Sequence, residues 1–99
     1  MDLGRTIQEK LIELASSYQI SKIVLFGSRA RGNNSTVSDV DLAVWGIKSA
    51  EQFFDFKEAV EEEIPTFLMF DIVDMESILV SETLREEIRK DGIVIYEKV

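Results

Sequence analysis

Asp39 and Asp41 are separated by a single residue, and Asp71 stands inside an apolar run from Phe67 to Val73. Side chains two residues apart on a strand point the same way, so Asp39 and Asp41 can close on one point. Like charges brought together repel unless a cation lies between them. Asp71 has apolar neighbours on both sides, and burying an unpaired carboxylate is expensive. Three carboxylates meeting at one sheet edge would form an oxygen-lined site for divalent cations. The 99 residues include no His and no Cys. Any metal must therefore be held by oxygen, which points to Mg²⁺, with Mn²⁺ as the substitute.

Gly27-Ser28 precedes this acidic pair. A glycine lets backbone approach a phosphate closely, and a serine offers both a hydroxyl and an N–H. Arg29 and Arg31 follow, and guanidinium groups match phosphate oxygens. Each feature also has an ordinary reading. Gly-Ser after a strand is usually a turn, Asp-x-Asp usually a solvated loop or cap, and Asp71 would serve equally in a structural ion pair with an Arg. Their joint occurrence in this order carries the functional reading. Two rivals fail on composition. The spacing of Gly27 and Gly32 is that of a phosphate-binding P-loop, but Asn33-Asn34 stands where Lys and Ser/Thr are required. Ser38–Asp41 lacks the central Gly and later acidic ligand of a calcium-binding EF-hand loop.

These residues must be positioned by secondary structure that the periodicity predicts. Leu3, Ile7, Leu11, Leu14, Ala15 and Tyr18 mark one face of a helix over 3–18. Ile20–Phe26 reads as a buried strand ended by Gly27. Gly27–Ser38 reads as a polar loop containing one helical turn. Val40–Trp45 is a second strand. Glu51–Glu63 is a helix with Phe53, Phe56, Ala59 and Val60 inward, stopped by Pro65. Thr66–Val73 is a third strand. Glu76–Lys90 is a helix with Asp74 as its N-cap and Gly92 as its C-terminal signal. Ile93–Tyr96 closes the sheet. The expected fold is α/β (α+β): a small mixed sheet of about four strands with helices against it.

Length and composition limit the function classes. The chain is 45% hydrophobic and 30% charged, with one Pro and five Gly. That describes one globular domain with one core, read over 1–99. No apolar run approaches the roughly 20 residues of a membrane span. The first residues carry no secretion signal, so a cytoplasmic protein is expected. The net charge is −8. An extended nucleic acid needs a cationic surface, so direct binding of long nucleic acid is not expected. A triphosphate carried with a divalent cation suits an acidic site, as does a basic protein partner.

The strings Phe26-Gly27-Ser28-Arg29-Ala30-Arg31-Gly32 and Ser38-Asp39-Val40-Asp41-Leu42 together resemble the signature of the polymerase-beta-like nucleotidyltransferase superfamily, in particular its minimal nucleotidyltransferase branch. The ending Asp91-Gly-Ile-Val-Ile-Tyr96 is also similar to that branch, and the resemblance runs from about Ile20 to Tyr96. It implies a polymerase-beta-like fold. It implies that Asp39 and Asp41 bind two Mg²⁺ ions and that Asp71 is the third carboxylate, helping to hold the ion that activates the acceptor hydroxyl. It implies that the Gly27-Ser28 turn holds the β and γ phosphates of ATP or another nucleoside triphosphate. It further implies a helical partner of the HEPN type, commonly a toxin, to one of whose tyrosines AMP is added. Arg29 is expected as a phosphate contact and Arg31 as a lesser one.

A second class of function stays open at this point: a binding module that neutralises a partner by contact alone. A third is the catalytic half of a small-molecule nucleotidyltransferase resembling aminoglycoside-modifying enzymes. The physics of phosphoryl-type transfer fits the first reading, because it relies on positioning and charge neutralisation and needs neither His nor Cys. A chain of this size also has little surface for gripping both a base and an acceptor, which favours a partner that completes the site.

Overall fold

A computed structural model of the chain describes residues 3–32 and 39–99. Asn33, Asn34 and Ser38 of the loop predicted above lie outside the described residues. Among the described residues four helices and four strands alternate as α1 (Arg5–Ser17), β1 (Lys22–Phe26), α2 (Ser28–Arg31), β2 (Val40–Trp45), α3 (Ala50–Glu63), β3 (Phe70–Asp74), α4 (Glu82–Asp91) and β4 (Ile93–Glu97). The strands form one mixed sheet in the order β3-β2-β1-β4. β1 runs antiparallel to β2 and to β4, while β2 and β3 are parallel. The parallel pair is joined through α3, the crossover such a pair requires.

Strand alternation sorts the side chains into two layers. Ile23, Leu25, Val40, Leu42, Val44 and Ile72 face α1 and α3, where they pack with Leu11, Leu14, Phe56 and Val60. Phe56 and Leu11 are fully buried there. Each such side chain contributes about 1.5–3 kcal/mol of transfer free energy. The opposite face carries Val24, Phe26 and Ala43, which pack with Met75 and with Ile88 of α4. Among the described residues α4 is the helix that packs on this second face, and the face also carries Asp41.

The helix ends have local causes. The Ser49 hydroxyl accepts from the Gln52 N–H at 3.0 Å and starts α3. Ile64, extended before Pro65, stops it. Gly92 ends α4 in an extended conformation rather than a left-handed one. A Cβ there would meet the Ile88 carbonyl oxygen at 2.3 Å and Val24 Cγ1 at 2.6 Å, so close packing against β1 demands the glycine.

The third strand and the last helix start several residues later than their sequence pattern. The third strand starts at Phe70, not Thr66. After Pro65 the Thr66 hydroxyl accepts from the Leu68 N–H at 3.1 Å and the Thr66 N–H donates to the Ile64 carbonyl at 2.9 Å. These local bonds hold Thr66–Leu68 out of the ladder, which begins where the Met69 carbonyl accepts from the Val40 N–H at 2.8 Å. The last helix starts at Glu82, not Glu76, and Asp74 is not its N-cap. Asp74 Oδ1 accepts from the Glu76 N–H at 2.9 Å, closing a turn after β3. Ser77 prolongs that turn by accepting from the Leu79 N–H at 3.1 Å. The cap is Ser81, whose hydroxyl accepts from the Leu84 N–H at 3.1 Å.

Candidate active site

Asp41 lies at the start of β2, paired across the sheet with Phe26 on one side and Asp71 on the other. Directly paired residues point to the same face, with strands about 4.8 Å apart. Asp41 and Asp71 therefore stand side by side on the face that α4 covers in part. Asp39 precedes β2 by one residue and is exposed.

Asp71 is exposed rather than buried, which corrects the sequence expectation. β3 is an edge strand, and the apolar neighbours of Asp71 turn away from it: Phe70 and Ile72 pack on the α1–α3 side. Asp71 takes part in no ion pair among the described residues, so the structural-pair reading has no partner there.

The surroundings of Asp41 act on its charge. Burial raises its carboxyl above the ordinary carboxylate range, and the negative charges of Asp71, Asp39 and Glu87 raise it further. Arg31 acts in the opposite direction. Among the described residues no three acidic side chains are gathered at one metal-holding point. The carboxylates share a face without converging, as repelling like charges do. The donor set is all oxygen, and its mutual repulsion is of the kind a divalent cation relieves, so the residues fit Mg²⁺ or Mn²⁺.

Gly27 follows β1 and is buried. Its φ of 78° and ψ of −157° fall in a region essentially reserved for glycine. A Cβ on it would stand 2.3 Å from Asp41 Oδ2. The glycine thus gives room to the carboxylate as well as to any phosphate that approaches the turn. Ser28 opens the single turn of α2, half-buried beside Gly27.

The two arginines part company. Arg29 is 3% exposed and is engaged within the protein. Arg31 is exposed and pairs with Glu87 of α4 at 3.7 Å. It is Arg31 whose charge reaches Asp41. Glu87 was invisible to motif reading, because nothing local distinguishes it from the other acids of α4.

The model of the polymerase beta nucleotidyltransferase family matches residues 9–99. No curated protein matches the chain significantly. Among solved structures, a toxin–antitoxin with AMP-PNP superposes with a TM-score of 0.73 at 22% identity, covering 92% of this chain and 73% of the other. A tri-AMPylated Shewanella oneidensis HEPN toxin in complex with MNT antitoxin gives 0.67 at 20% identity, covering 93% and 71%. A protein proposed to be a minimal nucleotidyltransferase gives 0.69 at 26% identity, covering 87% and 86%. The first two likenesses establish the fold.

Proposed function

The chain belongs to the polymerase beta nucleotidyltransferase family, and on that footing we propose that it transfers AMP from ATP, with Mg²⁺, to a tyrosine hydroxyl of a HEPN-type partner protein and so acts as an antitoxin. The observation that carries the reading is the cross-strand pair Asp41–Asp71, with Asp39 two residues away, standing against the Gly27-Ser28 turn.

Each residue then has a task. Asp39, Asp41 and Asp71 would hold the Mg²⁺ ions. The ions, when bound, neutralise phosphate charge and lower the pKa of the acceptor hydroxyl. Asp71, exposed on the edge strand, is open to an incoming hydroxyl and accepts its proton. The backbone of Gly27 and the N–H and hydroxyl of Ser28 take the β and γ phosphates, which leave together as pyrophosphate when the acceptor oxygen bonds to the α phosphorus. Arg29 adds positive charge from the buried side of that turn, and Arg31 from its open side.

A protein acceptor is favoured by the surface around the site. Met69, two residues before Asp71, and Phe67 are exposed apolar side chains. A small polar acceptor makes no use of such a surface, whereas a protein partner does. The same surface supports the second reading, neutralisation by contact alone.

The test is intact-mass measurement of a co-expressed helical partner after incubation with ATP and Mg²⁺. The expected result is added AMP with wild type and none with Asp39→Ala/Asp41→Ala, while gel filtration still shows the complex. A partner neutralised in full by the double variant, and never modified by wild type, would establish the contact reading instead.

A further inference from the structure

The carboxylate row is bordered by the Arg31–Glu87 ion pair. Arg31 Nη1, at the end of α2, lies 3.7 Å from Glu87 Oε2 of α4, and their side chains are 40% and 39% exposed. Both charges act on Asp41, in opposite directions. The neighbouring acid of α4, Glu86, is paired with Arg89 instead. Arg85 anchors the helix by donating to the carbonyls of Met75 and Ser77, each at 3.3 Å. α4 is thereby fixed, and Glu87 is an acid that it presents to α2.

The geometry of the pair indicates what it can do. A buried, bidentate Arg–carboxylate pair would lock the guanidinium in place. This pair is long, single-contact and well exposed, so its net strength is small and another anion can replace the carboxylate. A phosphate oxygen is such an anion, with more charge and a shape that suits the guanidinium fork.

We propose that Glu87 is a positioning residue for Arg31: it holds the guanidinium beside the carboxylate row as an exchangeable counter-anion, and a phosphate oxygen of the incoming triphosphate takes its place. Glu87 thereby sets triphosphate affinity without touching the nucleotide. The inference rests on the triphosphate-binding part of the reading above. It does not depend on the identity of the acceptor.

Calorimetric titration of ATP at saturating Mg²⁺ tests it on wild type, Glu87→Gln, Arg31→Gln and the double variant. Removing the counter-anion leaves Arg31 unpaired, so Glu87→Gln should lower the Kd by about two- to fivefold. Arg31→Gln should raise the Kd, and in that background Glu87→Gln should change nothing further. Adenosine, which lacks phosphates, should bind wild type and Glu87→Gln alike, a difference that mere structural repair would not produce. An unchanged or higher Kd for Glu87→Gln overturns the proposal. Equal tightening with and without Arg31 also overturns it, because Glu87 then acts only as bulk charge. Failure of wild type to bind ATP at all would overturn the transfer reading and this inference together.

Discussion

The hydrogen side of Gly27 faces the carboxylate of Asp41: a Cβ built there lies 2.3 Å from Oδ2 and 3.1 Å from Cγ. The Gly27-Ser28 turn and the side chain of Asp41 are therefore in contact, although 14 positions separate Gly27 from Asp41 in the sequence. Neither can change shape without the other.

Gly27→Ala should cost stability twice over. Its φ of 78° strains any side chain, an effect of about 1–3 kcal/mol, and the added methyl also displaces Asp41. Gly4 has a similar φ of 86° with nothing within 4 Å of its Cβ position, so Gly4→Ala carries the strain alone. Chemical denaturation should show Gly27→Ala as the more damaging of the two. Adding Asp41→Ala to Gly27→Ala should recover part of the loss. Equal losses at Gly4 and Gly27, with no recovery, would contradict the contact.

Asp41 should give the metal-free protein a stability that falls as pH rises. Its carboxyl is raised in the folded state, by burial first and by Asp71 next. The folded protein then keeps a proton that the unfolded chain has already lost. The stabilisation is full below the unfolded carboxylate range and is lost as pH climbs through the raised folded value. Asp41→Asn should flatten this dependence and melt no lower than wild type at neutral pH. Melting curves in EDTA between about pH 4 and pH 8 measure it. Adding Mg²⁺ should raise the wild-type melting temperature more than the variant's.

Asp71→Asn should separate stability from activity. The side chain is exposed and has no ion pair among the described residues. Metal-free stability should change by no more than about 0.5 kcal/mol. AMP transfer should drop by about a hundredfold or more, since even residues that only support metal ligands cost about 10–100-fold when lost. A destabilised variant with intact transfer would assign Asp71 to structure.

The two capping residues should differ in effect. Ser81→Ala removes the bond to the Leu84 N–H and should cost about 1 kcal/mol. Asp74→Ala should cost less, because Asp74 closes an exposed turn with Glu76 rather than a helix. Urea titration of both variants compares them. A larger loss at Asp74 would return the helix start to the position the sequence suggested.

The sequence by itself determined the order of elements and the chemistry available. Apolar spacing at Leu11, Leu14 and Ala15, alternation through Val40–Trp45, and the absence of His and Cys are local or compositional facts. They suffice because helix and strand periodicity and donor type depend on neighbouring residues. The local signal gave way at α4: the sequence pointed to Asp74 as its N-cap, whereas packing of Leu84 and Ile88 onto the sheet goes with a cap at Ser81. The exposure of Asp71 was decided by topology. Its apolar neighbours read as a buried strand, yet β3 lies at the sheet edge with those neighbours turned to the other face. The contact of Gly27 with Asp41, and the reach of Glu87 to Arg31, join residues far apart in the chain. No spacing rule encodes such pairs, because their distance is set by how the strands pair and where α4 packs.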